Sequence, residues 1–201
     1  RGDEVHVIIL AEGITSRDKK RNAKTNKKQL NQLIESAKQA HDILGTTSIK
    51  FFDFPDNRMD SIDLLNVVKI VEKNLSKITP EIIYTHYEND LNIDHQITNE
   101  AVIVASRPKA KSSIEAVYAF ETLSSTEWSF NKRRSFQPNL FINIESEMDK
   151  KLQALKCYDN EMLSAPNSRS YEAVQVLGKR RGFQVGIPCA ESFEVIREIK
   201  K

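Results

Sequence analysis

Three short apolar runs, each followed by a helical pattern, constrain this chain most. Residues 5–11 read Val-His-Val-Ile-Ile-Leu-Ala. A run with almost no polar face has nothing to offer solvent, so it fits a strand buried on both sides in a parallel sheet. Residues 49–54 and 82–85 repeat the pattern. Parallel strands need crossover connections, and the intervening segments supply helices. Leu30, Leu33, Ile34, Ala37, Ala40 and Leu44 fall on one helical face, with Gly45 placed to end it. Asp60 or Ser61 can cap a second helix carrying Ile62, Leu65, Val68 and Val71. A third helix is expected over 95–106, with Pro108 beyond its end. Further on, the pattern predicts short strands at 117–120 and 140–144, and helices at 147–163, 171–179 and 190–200. The expectation is a three-layer α/β sandwich: a mostly parallel sheet with helices on both faces.

A length of 201 residues suits one such domain, spanning 1–201. Thirty basic residues against 28 acidic ones leave a net charge of +2, which excludes nucleic-acid binding driven by overall field. The one dense basic stretch is Arg17-Asp18-Lys19-Lys20-Arg21, with Lys24, Lys27 and Lys28. It reads as a solvated loop, or as an anion site. Cys157 and Cys189 lack the spacing of a disulfide framework or metal motif and read as packing residues, so a reducing, cytoplasmic setting is the expectation. No apolar run reaches the ~20 residues of a membrane span, and no signal peptide is visible. Arg1-Gly2 resembles the capped end of a helix and leads directly into the first strand, so the chain reads as lacking its natural beginning.

The topology brings segments 12–17, 55–60, 86–95 and 121–128 to strand C-terminal ends, and hence to one rim, where open α/β sheets bind ligands. The segment 86–95 is richest in chemistry, with His86, Glu88, Asp90, Asp94 and His95 inside ten positions. Imidazole and carboxylate together suit zinc or a similar divalent ion. His95 opens the third helix and Asp94 precedes it, so His95 is a candidate ligand and Asp94 a group that orients it or takes a proton. Asp94 also reads as a simple helix cap. His86 reads as a group behind the ligand, a general acid, or a loop residue. Asp56 and Asn57 follow Pro55 and are turn formers or hydroxyl-binding groups. Trp128 stacks on a sugar face or packs at the rim. The glycines at 182 and 186 lack the strand–turn–helix context of a phosphate loop.

The run Thr85-His86 through Asp90-Leu91-Asn92-Ile93-Asp94-His95 resembles the second metal motif of the PIG-L/LmbE family of zinc-dependent de-N-acetylases. Phe54-Pro55-Asp56-Asn57-Arg58-Met59-Asp60, Leu123-Ser124-Ser125-Thr126-Glu127-Trp128 and Phe136-Gln137-Pro138-Asn139 are similar to one bacterial branch of it, as is Arg181-Gly182-Phe183-Gln184-Val185-Gly186. The resemblance extends over essentially the whole chain. It implies a Rossmann-like sandwich whose first strand, ending in Ala-His-Pro-Asp-Asp, has no counterpart here. That motif carries two zinc ligands and the general base. His95 matches the remaining ligand. A histidine common three positions before it is Asn92 here, which leaves His86 as the nearest substitute acid.

The resemblance further implies amide hydrolysis, with metal-polarised water, a carboxylate base and a held oxyanion. The substrate implied is an N-acetylglucosamine-type sugar or glycoconjugate. Asp56 resembles a sugar-hydroxyl ligand, and Arg17 and Glu12 resemble contacts to the aglycone or an attached phosphate. A homo-oligomer is compatible with this reading. The competing readings are a Rossmann-like carbohydrate-binding protein without catalysis, and a glycosyl transferase, which would need a nucleotide-phosphate loop or a paired-carboxylate metal motif, neither of which the sequence shows. For the chain as it stands, little or no activity is expected.

Overall fold

The computed structural model describes residues 2–17, 21, 26–110, 112–131 and 134–200, with Arg17 described in its backbone only. Six strands and five α-helices follow in the order β1 (His6–Ala11), α1 (Lys27–Leu44), β2 (Ser48–Phe54), α2 (Leu64–Ile78), β3 (Ile82–His86), α3 (Ile93–Ala105), β4 (Ala116–Phe120), β5 (Leu140–Asn143), α4 (Met148–Lys156), α5 (Tyr171–Phe183) and β6 (Ala190–Glu198). β1 pairs with β2, and a second sheet runs β3-β4-β6-β5. The layers follow from strand alternation. On one face Ile8, Leu10, Ile83 and Val117 pack with Val67, Val68 and Val71 of α2 and Ala101 and Val102 of α3. On the other face Val7 and Ile9 look toward α1 and α4, and α5 lies against β6.

The helix boundaries have local causes. Gly45 ends α1 in the left-handed region at φ 73° and donates its N–H to the His41 carbonyl. Asn92 caps α3, its side-chain oxygen accepting from the Asp94 N–H. The cap is therefore Asn92, two residues earlier than Asp94, and α3 begins at Ile93. Met59 and Val67 are fully buried beneath it, and each such side chain contributes ~1.5–3 kcal/mol of burial.

Two expectations are corrected. Residues 190–200 were read as a helix, yet Ala190–Glu198 is strand β6. β6 lies between β4 and β5, so its backbone groups are satisfied from both sides. Within it Glu194 is buried and held by partners from residues 134–137. The second correction concerns strand direction. β1–β2 and β3–β4 are parallel, whereas β4–β6 and β6–β5 are antiparallel, so the four-stranded sheet is mostly antiparallel.

Among the described residues the strands form two separate sheets. Residues of β1, β3 and β4 share one hydrophobic core, but among the described residues no strand joins β1 to β3. An apolar cavity of about 560 Å³ lies between β1, α1 and α4, lined by Val7, Ile9, Ala40, Leu44, Ala154 and Leu155 among others. None of the predicted site residues borders it. No described helix is long and apolar enough to cross a membrane.

Candidate functional site at the strand C-terminal rim

Hydrogen bonds weld the four rim segments together. The backbone N–H and hydroxyl of Ser16, after β1, both donate to Asp56 Oδ2, after β2. Asn57 N–H and Met59 N–H donate to the two oxygens of Asp94, at 2.6 and 2.9 Å. Ser125 and Thr126, after β4, donate their hydroxyl protons to Asp90, after β3. The convergence expected from topology is thus built by side chain-to-backbone and side-chain bonds across 35–40 residues of sequence.

His95 sits at the centre of this arrangement. Its Nδ1 lies 3.0 Å from Asp90 Oδ1, and its side chain is 19 % exposed. Asp90 is fully buried. Burial on its own raises the Asp90 pKa, but hydrogen bonds from His95, Ser125, Thr126 and the Asn92 N–H outweigh it and hold the pKa at about 2. Asp90 is therefore a carboxylate that only accepts, and His95 Nδ1 is the donor. Nε2 has no hydrogen-bond partner among the described residues.

His86 ends β3 and stacks flat on His95, with ring centroids 3.9 Å apart and planes within 1°. The edge of Phe120 closes its far side at 4.7 Å, and Asn99 Nδ2 holds the His86 carbonyl. Burial first, and then the neighbouring His95, pushes the His86 pKa down to about 3. Its Nδ1 is buried and has no partner. At neutral pH this ring is an uncharged plate against His95.

The remaining predicted residues are placed as follows. Both Asp94 oxygens are occupied by the 57–59 loop. Burial raises its pKa, the backbone N–H groups of Met59 and Asn57 oppose this, and the charge of Asp56 adds to it. Asp56 is buried and commits Oδ2 to Ser16. Asn57 is exposed, at a left-handed φ of 52°, and its side chain makes long contacts of 3.3 Å to Ser16 and Asp56 among the described residues. Glu12 is turned toward Arg21, which grips Oε1 through Nε at 2.6 Å and through Nη2, while the buried Oε2 has no partner. The Arg17 side chain lies outside the described residues. Trp128 is partly exposed at the rim.

Asp90 and Asp94 are both consumed by internal hydrogen bonds, which leaves His95 Nε2 as an unpartnered imidazole nitrogen at the rim among the described residues. Among the described residues no group of three or more His, Cys, Asp or Glu side chains is placed to hold a metal ion. Catalytic zinc takes three protein ligands, so these residues do not by themselves fit one.

The family model described as PIG-L, GlcNAc-PI de-N-acetylase, matches residues 1–106. The chain belongs to the PIG-L family. The matched stretch holds β1 to α3 and therefore His86, Asp90, Asp94 and His95. The PIG-L chain is also 29 % identical over 174 residues to 4-oxalmesaconate hydratase of Pseudomonas putida, covering 78 % of this chain and 62 % of that protein. It thus spans less than two thirds of the length of that curated relative. In fold it is similar to the 4-carboxy-2-hydroxymuconate hydratase of Pseudomonas putida KT2440, with a TM-score of 0.74, 23 % identity, and coverage of 98 % of this chain and 86 % of that one. It is likewise similar to the N,N'-diacetylchitobiose deacetylase of Pyrococcus horikoshii, with a TM-score of 0.72, 16 % identity, and coverage of 98 % and 74 %.

Three residues of this hydrogen-bond network receive no role in the sequence argument: Asp90, named there only among the polar groups of 86–95, and Ser125 and Thr126. Asp90 stands five residues before His95, and the loop between them carries no periodicity that would single it out. Ser125 and Thr126 lie on a loop whose polar run marked it as rim, with no sign that it reaches Asp90.

Proposed function

We propose that the protein hydrolyses an N-acetyl group from an N-acetylglucosamine-type sugar or glycoconjugate, using zinc or another divalent metal. The observation that carries this reading is His95. It lies within the family-matched stretch, at the ligand-binding rim, with one ring nitrogen on a buried carboxylate and the other free, which is the arrangement of a metal-ligating imidazole. His95 is the metal ligand in this proposal. Asp94 holds the 57–59 loop against α3 and so places Asn57. The exposed Asn57 and the Oδ1 of Asp56, which accepts from Asn57 Nδ2 at 3.3 Å, suit sugar hydroxyls, and Glu12 and Arg17 suit the aglycone side. A group with a pKa near 3 has no extra proton to give at neutral pH, so we place His86 as the wall behind His95 rather than as the acid.

A second reading has its own support, because the curated relative and one close structural neighbour are hydratases acting on unsaturated acids by their names. In that reading the same rim adds water to a carbon–carbon double bond. The products separate the two. The longest form of the protein that its gene encodes should bind about one zinc and release acetate from an N-acetylated sugar panel. His95→Ala should lose both the metal and the acetate signal while keeping the circular dichroism of the parent. Loss of ultraviolet absorbance from a conjugated dicarboxylate, without acetate release, would move the assignment to the hydratase. Absence of metal and of both reactions would leave a binding protein.

A further inference from the structure

We infer that Asp90 is a positioning residue that fixes the tautomer and plane of His95, so that Nε2 is always the nitrogen with the free lone pair. That this nitrogen serves as a ligand rests on the function proposed above; the tautomer itself does not.

The direction of every proton in the network can be worked out. Thr126 Oγ1 accepts from Thr122 N–H at 2.7 Å, so its own proton turns to Asp90 Oδ2 at 2.6 Å. Asn92 N–H donates to Asp90 Oδ1 at 2.9 Å, and the Ser125 hydroxyl donates to the same oxygen. Backbone and hydroxyl donors from two loops thus clamp the carboxylate on both oxygens before His95 is considered. A fully buried carboxylate accepting these protons presents only lone pairs to the ring. A neutral imidazole has one N–H, and a lone pair at 3.0 Å from Nδ1 draws it there. The hydrogen bond fixes the ring's direction within its plane. The flat stack of His86 at 3.9 Å fixes the tilt of the plane itself. Rotation about either axis breaks a contact that the surrounding loops hold in place.

The tautomer is read directly from long-range ¹⁵N–¹H correlation spectra of the imidazole nitrogens, recorded on this chain at about pH 9, above the range where imidazoles titrate. No substrate or metal is needed. In the parent, the His95 signals should show a protonated Nδ1 and an unprotonated Nε2. Asp90→Asn keeps an oxygen for His95 and for Asn92 N–H, and should retain that signature. Asp90→Ala should lose it, with the ring moving to the Nε2–H form that free histidine prefers, while the His6 and His41 ring signals stay unchanged. An Nε2-protonated His95 in the parent, or an unchanged His95 signature in a folded Asp90→Ala protein, would overturn the inference. If Asp90→Ala does not fold, the parent and Asp90→Asn spectra decide. Failure of acetate release with the Nδ1–H signature intact would sink the proposed function and leave Asp90's role standing.

Discussion

Acidification should destabilise this protein through His86, and the size of the effect can be worked from its surroundings. An unfolded histidine titrates near 6.5, whereas burial against His95 and Phe120 holds the folded His86 at about 3. Between those two values the unfolded chain binds a proton that the folded chain refuses. Stability therefore falls as pH falls through this window, and is unaffected by this group above it. At pH 5 the unfolded ring is almost wholly protonated and the folded ring almost wholly neutral. The free-energy cost is about 2 kcal/mol there, growing to about 4 kcal/mol at pH 3, at ~1.4 kcal/mol per tenfold change in proton concentration. Against a typical total of ~5–15 kcal/mol, that loss is measurable by urea denaturation at pH 8 and pH 5. His86→Phe keeps a flat ring between His95 and Phe120 but cannot titrate. The parent should lose about 2 kcal/mol more than His86→Phe over this interval. Equal losses in the two proteins would refute the reasoning, because they would show that His86 already accepts its proton in the folded state.

Other sites give equally direct tests. Gly182→Ala should gain ~1 kcal/mol from helix propensity alone, but a Cβ there would stand 2.5 Å from the Ile187 carbonyl oxygen and 2.7 Å from Cys189 N. Backbone cannot swing aside, so the net result should be a loss of ~1–3 kcal/mol in urea denaturation, and a more stable variant would contradict that close approach. Asp94→Asn replaces an acceptor of two backbone N–H groups with an amide that can accept only one of them. It should cost ~1–3 kcal/mol and speed hydrogen exchange at the amides of Asn57 and Met59; unchanged exchange there would show that Asp94 does not hold the loop. Glu194→Ala removes the partner of Gln137 N–H and Arg134, and should expose the segment around residues 134–137 to proteolysis while β4 and β5 stay protected in exchange experiments.

Much of the architecture was legible because burial on two faces leaves a mark in one dimension. The runs at 5–11, 49–54 and 82–85 correspond to β1, β2 and β3, and the periodic apolar residues of α1 and α2 correspond to helices that bury one side. β6 was misread because its inward residues are not all apolar. Glu194 is buried, and what makes it tolerable there is a pair of donors from a distant loop. The reversed direction of β6 between β4 and β5 had no local signature either, since it depends on where in the sheet the strand finds its partners.

The amino-acid sequence by itself determined the alternation of strand and helix, the gathering of four polar segments at one rim, and the candidacy of His95 among them. Those properties follow from hydrophobic period and chain connectivity, which are local. Only the tertiary structure decided what each rim residue does. It turned Asp94 from a helix cap into a clamp on the 57–59 loop, set Asn92 as the cap, and set His86 as an uncharged plate on the His95 ring. It also revealed Asp90, whose four hydrogen bonds come from His95, Asn92, Ser125 and Thr126. A carboxylate's role depends on which donors surround it and on how much water is excluded, and both are set by residues as far as 36 positions away.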